Sequence, residues 1–589
     1  MLPKLSVDQM LMKARSYEKR DEIADAKKIY QTVLLSFPQN KRAKDRLAAL
    51  NKSQKHNVIQ NPPQEVIDQL IKLYNQGQFK SMAEQAQVLT EQYPQAFIIW
   101  NCLGVAHMGL CQTEEASGAF KKVTELNPNY ADGFNNLGVA LQEQGKLSEA
   151  LDACNKGLFL KPDYVDAYYN IGNILKDQGY PDKAVEYYKK AIRLKPDYAN
   201  AFNNMGIAFH DQLKFDEAII AYNKALILNV SSADVYCNMA SSLKNQGKSD
   251  EAKEALIKAI LIKPYHAEAH QNLCYALLKE GKIKEGLDEY EWRWKTSKNV
   301  LKQRHFLQPI WDGKQGLTGK RILLWSEQGV GDTIMWSSCL SLVTSQAKHC
   351  ILECQPKLVP LLKRSFPNVE VKAEDRRSDQ QRDDFDFHLP MGSLYKNFIQ
   401  DLLTNKNPDA YLVPDPNRIN YWKDRLKSLG DGPYVGISWK SADMDFKRLP
   451  NYAKILELYP VLKLPNVICV NLQYTDFVND LTKIKKELGI TIHNFDDLDH
   501  FNNIDDVAAL CSALDLVVST KTTVPLISAA IGTSTKLANW RQSPWNNILL
   551  NPKGPLVDIF ERDTWEPWKN VFSSIAEDIF TTTKNWSSK

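Results

Sequence analysis

The chain is 589 residues long, 43% apolar and 24% charged, with a formal net charge of +4. That length predicts about three to five folding units, and so small a net charge argues against a nucleic-acid or membrane surface. No run approaches the ~18 apolar residues that span a bilayer, and the first twenty residues lack the apolar stretch of a secretory signal; ten scattered cysteines without a C-x2-C pair give no zinc pattern and suit a reducing cytoplasm.

The first half is periodic. Pro94, Pro128, Pro162 and Pro196 stand 34 residues apart, and Pro264 falls two periods further on. Within each period Trp100-x2-Leu103-Gly104 becomes Phe134-x2-Leu137-Gly138, Tyr168-x2-Ile171-Gly172 and Phe202-x2-Met205-Gly206. Ala116/Phe120, Ala150/Cys154, Ala184/Tyr188 and Ala218/Tyr222 follow in register. Small residues at two fixed positions let paired helices approach, large ones fill the space between, and proline ends the second helix. This is the period and pattern of tetratricopeptide helical pairs. An earlier unit ends at Pro38, with Ala26 and Tyr30 in register. The expected layout is one repeat in residues 1–50, a polar linker at 51–63 and a repeat superhelix at 64–298, about seven helical pairs in all.

One position recurs as asparagine: Asn136, Asn170, Asn204, Asn238 and Asn272. On the first helices, which line the concave face of such arrays, these amides predict a ladder that binds the backbone of an extended acceptor chain. The alternative is that asparagine is simply common at this helix position.

Near residue 319 the pattern changes to short apolar strands alternating with helices. The expected strands are 321–325, 349–354, 369–372, 385–389, 434–439, 466–472, 491–495, 516–519 and 534–538. Two such series predict two parallel-sheet lobes, 299–415 and 416–589, with ligands at the carboxyl ends of the strands.

Those ends carry the candidate chemistry. Gly329-x-Gly331-Asp332 follows the first strand and opens a helix; Asp332 is a candidate general base or an N-cap, and Gly331 lets a donor approach the backbone. Ser438, Lys440, Lys447 and Arg448 cluster after the fifth strand and suit a diphosphate, or form a solvated loop. Gln473 ends the sixth. Lys521, Thr522 and Thr523 lie between a strand and a helix, where they bind phosphate or cap the helix. His388, at another strand end, is an acceptor-side candidate, though a lone histidine is more often structural. No carboxylate pair suggests a metal.

The stretch 325–334 (WSEQGVGDTI) resembles the opening of bacterial tetratricopeptide glycosyltransferases whose catalytic half is related to lipopolysaccharide heptosyltransferases. So do 289–294 (EYEWRW), 309–313 (PIWDG), 435–439 (VGISW), 514–518 (LDLVV) and 543–545 (SPW). Protein O-linked N-acetylglucosamine transferases share the plan, and flagellin-modifying glycosyltransferases are a close functional model. The resemblance implies an α solenoid followed by α/β, with two Rossmann-like lobes of the GT-B type. It implies Asp332 as base, Lys447 on donor phosphate and the five asparagines on acceptor peptide. It implies a metal-independent, inverting transfer from a nucleotide sugar to Ser or Thr of a protein, with flagellin as the candidate. One departure stands out. Where relatives read Ser-x-Asp-Thr-x-x-Ala-His, this chain has Lys521 for the acid and Leu526 for the histidine. Lys521 would suit the carboxylate of a CMP-linked nonulosonic acid, a UDP-sugar being the alternative donor. The competing classes are a non-catalytic adaptor and a transferase directed at lipopolysaccharide.

Overall fold

The computed structural model describes residues 6–19, 22–57, 61–296, 303–375, 379, 382–404, 410–441, 451–540, 557–563 and 566–583. They fall into two packed units, Met1–Leu228 and Asn229–Lys589.

The first unit is all helix. Its regular pairs are Phe97–Gly109 with Thr113–Leu126, Ala131–Glu143 with Leu147–Leu160, Val165–Asp177 with Pro181–Leu194, and Ala199–Asp211 with Phe215–Leu228. The recurring glycine faces the large residue sixteen positions later. A Cβ at Gly104 would sit 2.6 Å from the Phe120 ring, and at Gly172 and Gly206 2.5 Å from the rings of Tyr188 and Tyr222. Ala116, Ala150, Ala184 and Ala218 are fully buried beside them. The turn inside each pair needs a left-handed residue. Gly77, Gly145 and Gly179 supply it at no steric cost, whereas Cys111 (φ 59°) and Leu213 (φ 64°) adopt it against their own Cβ. The linker expected at 51–63 is helical over its first half, because helix Lys41–Asn57 runs through it. No Gly or Pro interrupts the hydrogen-bond ladder before Pro62, and polarity alone does not end a helix.

The second unit begins with two more pairs, Ala233–Asn245 with Ser249–Ile262 and Ala267–Lys279 with Ile283–Tyr290, followed by a 3-10 turn at Glu291–Lys295. Packing does not break at residue 298. Cys274, Leu278, Leu287 and Tyr290 share one buried cluster with the strands and helices of the first lobe.

Two parallel sheets follow. The first holds β1 (Arg321–Trp325), β2 (His349–Cys354), β3 (Val369–Ala373) and β4 (Phe387–Pro390) in the order β3-β2-β1-β4. The second holds β5 (Tyr434–Ser438), β6 (Ile468–Asn471), β7 (Leu516–Ser519), β8 (Thr535–Trp540) and β9 (Val557–Arg562) in the order β6-β5-β7-β8-β9. The α solenoid followed by a two-sheet α/β region is thus the observed fold. β7 is buried throughout, as a parallel strand covered on both faces must be. Residues 491–495 form no strand. Ile492 and Phe495 are buried, but the backbone makes only one bridge, His493 to Val470. The final helix, Trp568–Thr583, buries Trp568, Phe572, Ile575 and Ile579 against the second lobe. A bidentate pair, Arg364 with Asp505 at 2.7 Å for both bonds, ties the lobes together.

Candidate functional site

The carboxyl ends of β1 and β7 face each other. After β1 the chain turns at Gln328-Gly329 and starts helix Val330–Trp336. The Asp332 carboxylate accepts the Gly329 N–H at 3.2 Å, so it caps its own helix while remaining half-exposed. Thr333 donates to the Gly329 carbonyl at 3.1 Å, and Gln355 donates to the Gln328 carbonyl at 2.6 Å. The turn is therefore held from both sides.

Across from it lies the segment after β7. A Cβ on Gly331 would fall 2.8 Å from Leu526 Cδ1 and 3.5 Å from Thr523 Oγ1, so the two lobes approach closely here and a side chain at this position would have to push the Leu526 methyl aside. Thr522 is buried and accepts the Val524 N–H at 3.3 Å, which is the capping reading of that residue. Its hydroxyl also lies 3.3 Å from those of Ser438 and Ser519. Lys521 and Thr523 are half-buried beside it.

Two donor-binding expectations need correction. The Gln473 side chain is completely buried. Its Oε1 accepts from the backbone of Trp439 at 3.0 Å and Lys440 at 3.1 Å, and its amide donates to the Lys440 carbonyl at 2.7 Å and to Thr475 at 2.6 Å. It clasps the loop after β5 and has little left for a ligand. Lys440 turns to Asp480, with Nζ at 2.7 Å, where Trp439 Nε1 also donates. Ser438 is fully buried in the same network. Lys447 and Arg448, and the 543–545 motif, lie outside the described residues.

His388 is not an acceptor contact. It is 3% exposed, packs against Phe306 and Phe385, and accepts from Trp325 Nε1 at 3.3 Å. Burial, then Arg304, pulls its pKa down to about 4, so it is a neutral core residue.

The asparagines do a repeated job. Asn136 donates to Asn101 at 3.0 Å, Asn170 to Asn135 at 2.9 Å, and Asn204 to the Tyr169 hydroxyl at 2.9 Å, each reaching 35 residues back to the preceding repeat. In the second unit Asn272 reaches Cys237 in the same way at 3.5 Å, and Asn238 is half-buried. The amide N–H ends thus join neighbouring repeats. The carbonyl ends of Asn136 and Asn170 make no hydrogen bond among the described residues.

A buried ion pair sits directly under the β1 turn. Glu327 accepts from Arg293 at 3.2 Å and from the Gly392 N–H at 3.0 Å. Arg293, 1% exposed, also binds Glu291 at 2.7 Å and Ser393 at 2.9 Å. Burial raises the Glu327 pKa to about 7 against the opposing pull of Arg293. Gln328 donates to the Tyr290 hydroxyl at 2.6 Å. The end of the last repeat therefore supports the Gly329–Asp332 turn. Sequence reasoning missed this pair, although its signal was a charged residue inside each of two aromatic or glycine motifs, Arg293 within 289–294 and Glu327 just before Gly329.

Comparison with known proteins agrees on the repeats. Residues 10–40, 131–164 and 233–266 match tetratricopeptide repeat families, and 172–213 a TPR repeat family. Protein FlbA of Caulobacter vibrioides is 30% identical over 310 residues, which is 50% of this chain and 52% of FlbA. The chain thus spans about half the length of that curated relative. Among solved structures, the Cut9–Hcn1 hetero-tetramer of APC/C is 18% identical with a TM-score of 0.35, covering 50% of this chain and 54% of that one. YrrB, a TPR protein with an unusual peptide-binding site, is 23% identical with a TM-score of 0.26, covering 32% and 96%. MamA is 28% identical with a TM-score of 0.25, covering 27% and 92%. The periodic half is therefore a tetratricopeptide-repeat region. Among the described residues no helix is long and apolar enough to cross a membrane.

Proposed function

We propose that the chain is a metal-independent glycosyltransferase that moves a sugar from a nucleotide-activated donor to Ser or Thr hydroxyls of a protein held by the repeats, with flagellin as the candidate acceptor. The observation that carries this reading is the half-exposed Asp332 at the β1 turn, next to Gly331, which approaches Leu526 and Thr523 of the opposite lobe. Asp332 takes the proton of the acceptor hydroxyl as its oxygen forms the new bond at the anomeric carbon. The bond to the donor phosphate breaks on the far side with inversion, and the nucleotide leaves with the electron pair. Lys521, together with Lys447 and Arg448 from the stretch that follows β5 in the sequence, supplies the positive charge that a leaving phosphate or a donor carboxylate requires. On the repeats, the carbonyl ends of Asn136 and Asn170 accept N–H groups of an extended acceptor.

A non-catalytic adaptor is the second reading. Leu526 favours it, because an apolar side chain fills the face of Gly331 that a polar donor would otherwise meet.

Intact-mass analysis of flagellin from cells with and without this chain separates the readings. A sugar-sized mass that disappears when the chain is deleted supports the transferase. A sugar mass that persists contradicts it for this acceptor. A bare flagellin in both strains, with sugar lost instead from a lipid-linked glycan, moves the transfer to lipopolysaccharide.

A further inference from the structure

In the second unit, Ala233–Asn245 and Ala267–Lys279 are the first helices of their pairs, the class that lines the concave face of such arrays. Cys237, Ser241 and Lys244 stand four and three residues apart and so share one face of the former helix. Asn272 and Tyr275 meet that face from the latter. Asn272 donates to Cys237 Sγ at 3.5 Å, and the Lys244 ammonium stands 6.0 Å from the centre of the Tyr275 ring. Tyr275 packs on the buried cluster that contains Tyr290 and Ile334. Tyr290 accepts from Gln328 at 2.6 Å and feels the charges of Asp332 and Tyr275. Lys244 is thus linked to the β1 turn through Tyr275 and Tyr290.

Lys244 is a cation without a counter-charge. It is half-buried, and among the described residues its ammonium makes no hydrogen bond or ion pair, its one contact being the Tyr275 ring. The lysines around it are placed differently. Lys253 and Lys282 pair with Glu280 at 2.5 and 2.9 Å, and Lys279 donates to Ser249 at 3.2 Å. The repeat shows what is missing. Two periods earlier the same position holds Lys176, and the residue after it, Asp177, pairs with it at 3.3 Å. The residue after Lys244 is Asn245, so the repeat supplies no carboxylate there. Burial, then the like charge of Lys279, pulls the Lys244 pKa down to about 8. The side chain is still mostly protonated at neutral pH. A cation kept from water without a partner is costly, and an arriving carboxylate removes that cost. Its place on the first helices, beside Asn272 and Ser241, fits a side chain of a bound polypeptide.

We propose that Lys244 is an acceptor-side specificity residue, which binds an Asp or Glu side chain of the protein acceptor near the hydroxyl to be modified. The proposal rests on the reading above that the repeats hold a protein acceptor, and it is tested without transfer. The probe is a short synthetic peptide with Glu on both sides of a Ser, paired with the same peptide carrying Gln for Glu. Isothermal titration of the full chain should show the Glu peptide binding about tenfold tighter, the effect of one charge-assisted hydrogen bond. Lys244→Met should bring the two peptides within about twofold of each other. Lys244→Arg, which keeps the charge, should retain most of the preference. Lys263→Met, which removes an exposed charge of the same repeat, should leave the preference as it is. A thermal melt confirms that each variant is folded. Equal binding of the two peptides, a preference unchanged in folded Lys244→Met, an equal loss in Lys263→Met, or no binding of either peptide would overturn the proposal. Loss of the preference with flagellin still modified would leave the transferase reading standing. A Lys244-dependent preference without any modified acceptor would leave the anchor standing and remove the transfer.

Discussion

The helical pairs of the first unit and the two-sheet region of the second unit reach a packed interior by opposite means. In the repeats one solution recurs: glycine against a ring, buried alanine beside it, and an asparagine reaching 35 residues back. In the α/β region almost every decisive contact occurs once. Arg293 meets Glu327 and Ser393, Gln473 clasps Trp439 and Lys440, and Gly331 meets Leu526. Periodic packing tolerates the loss of one unit's detail, because each repeat leans mainly on its neighbours. Single-use contacts carry their whole effect at one residue, and so does a reactive site.

The sharpest test of that difference is Arg293→Met. It leaves Glu327 buried without its cation, which costs about 3–5 kcal/mol. A large drop in the melting transition is expected, with partial recovery in Arg293→Met/Glu327→Leu. An unchanged melt would show that the pair does not hold the β1 turn. In the repeats, Gly172→Ala forces a methyl against the fully buried Tyr188 and should cost about 1–3 kcal/mol in denaturant unfolding. If the packing is truly periodic, the same change at Gly104 or Gly206 costs a similar amount; widely different values would break the equivalence.

The α/β region should also respond to acid. His388 and His500 both have folded pKa values near 4, below the ordinary value of about 6.5. The unfolded chain therefore takes up these protons first as pH falls. Their contribution is fully present above about pH 6.5, declines by up to about 1.4 kcal/mol per pH unit per histidine between 6.5 and 4, and levels off below. Melting curves of His388→Gln across that range should show roughly half the histidine slope of the parent. The smallest effect is a gain. Leu213→Gly removes a left-handed strain and should raise the stability of the repeats by up to about 1 kcal/mol, read as a rise in melting temperature.

The same contrast decides what was legible beforehand. The repeats were readable because their signals recur at fixed spacing, and β1 with the Gly329 turn because an apolar run followed closely by glycine is a local signal. The residues 491–495 misled because Ile492 and Phe495 are buried as a strand's would be, yet their backbone adds only the single His493–Val470 bridge. β9 was missed because its pairing with β8 and the ion pair of Lys536 with Asp558 are long-range facts. Lys440 and Gln473 looked like donor ligands because nothing local announces Asp480, forty residues away, or the loop backbone that occupies them. Asp332 was placed correctly at a helix start, but its double nature, cap and candidate base, follows from one carboxylate in two roles.

Asp332→Asn separates those roles. An asparagine amide oxygen can still accept the Gly329 N–H from the third helical position, as the Asp332 carboxylate does, but the amide cannot take the acceptor's proton. Intact-mass analysis of flagellin from cells carrying Asp332→Asn should show the sugar-sized mass gone while the purified variant melts within a degree or two of the parent. A fully modified flagellin from that strain would contradict a chemical role for Asp332 and leave it a helix cap.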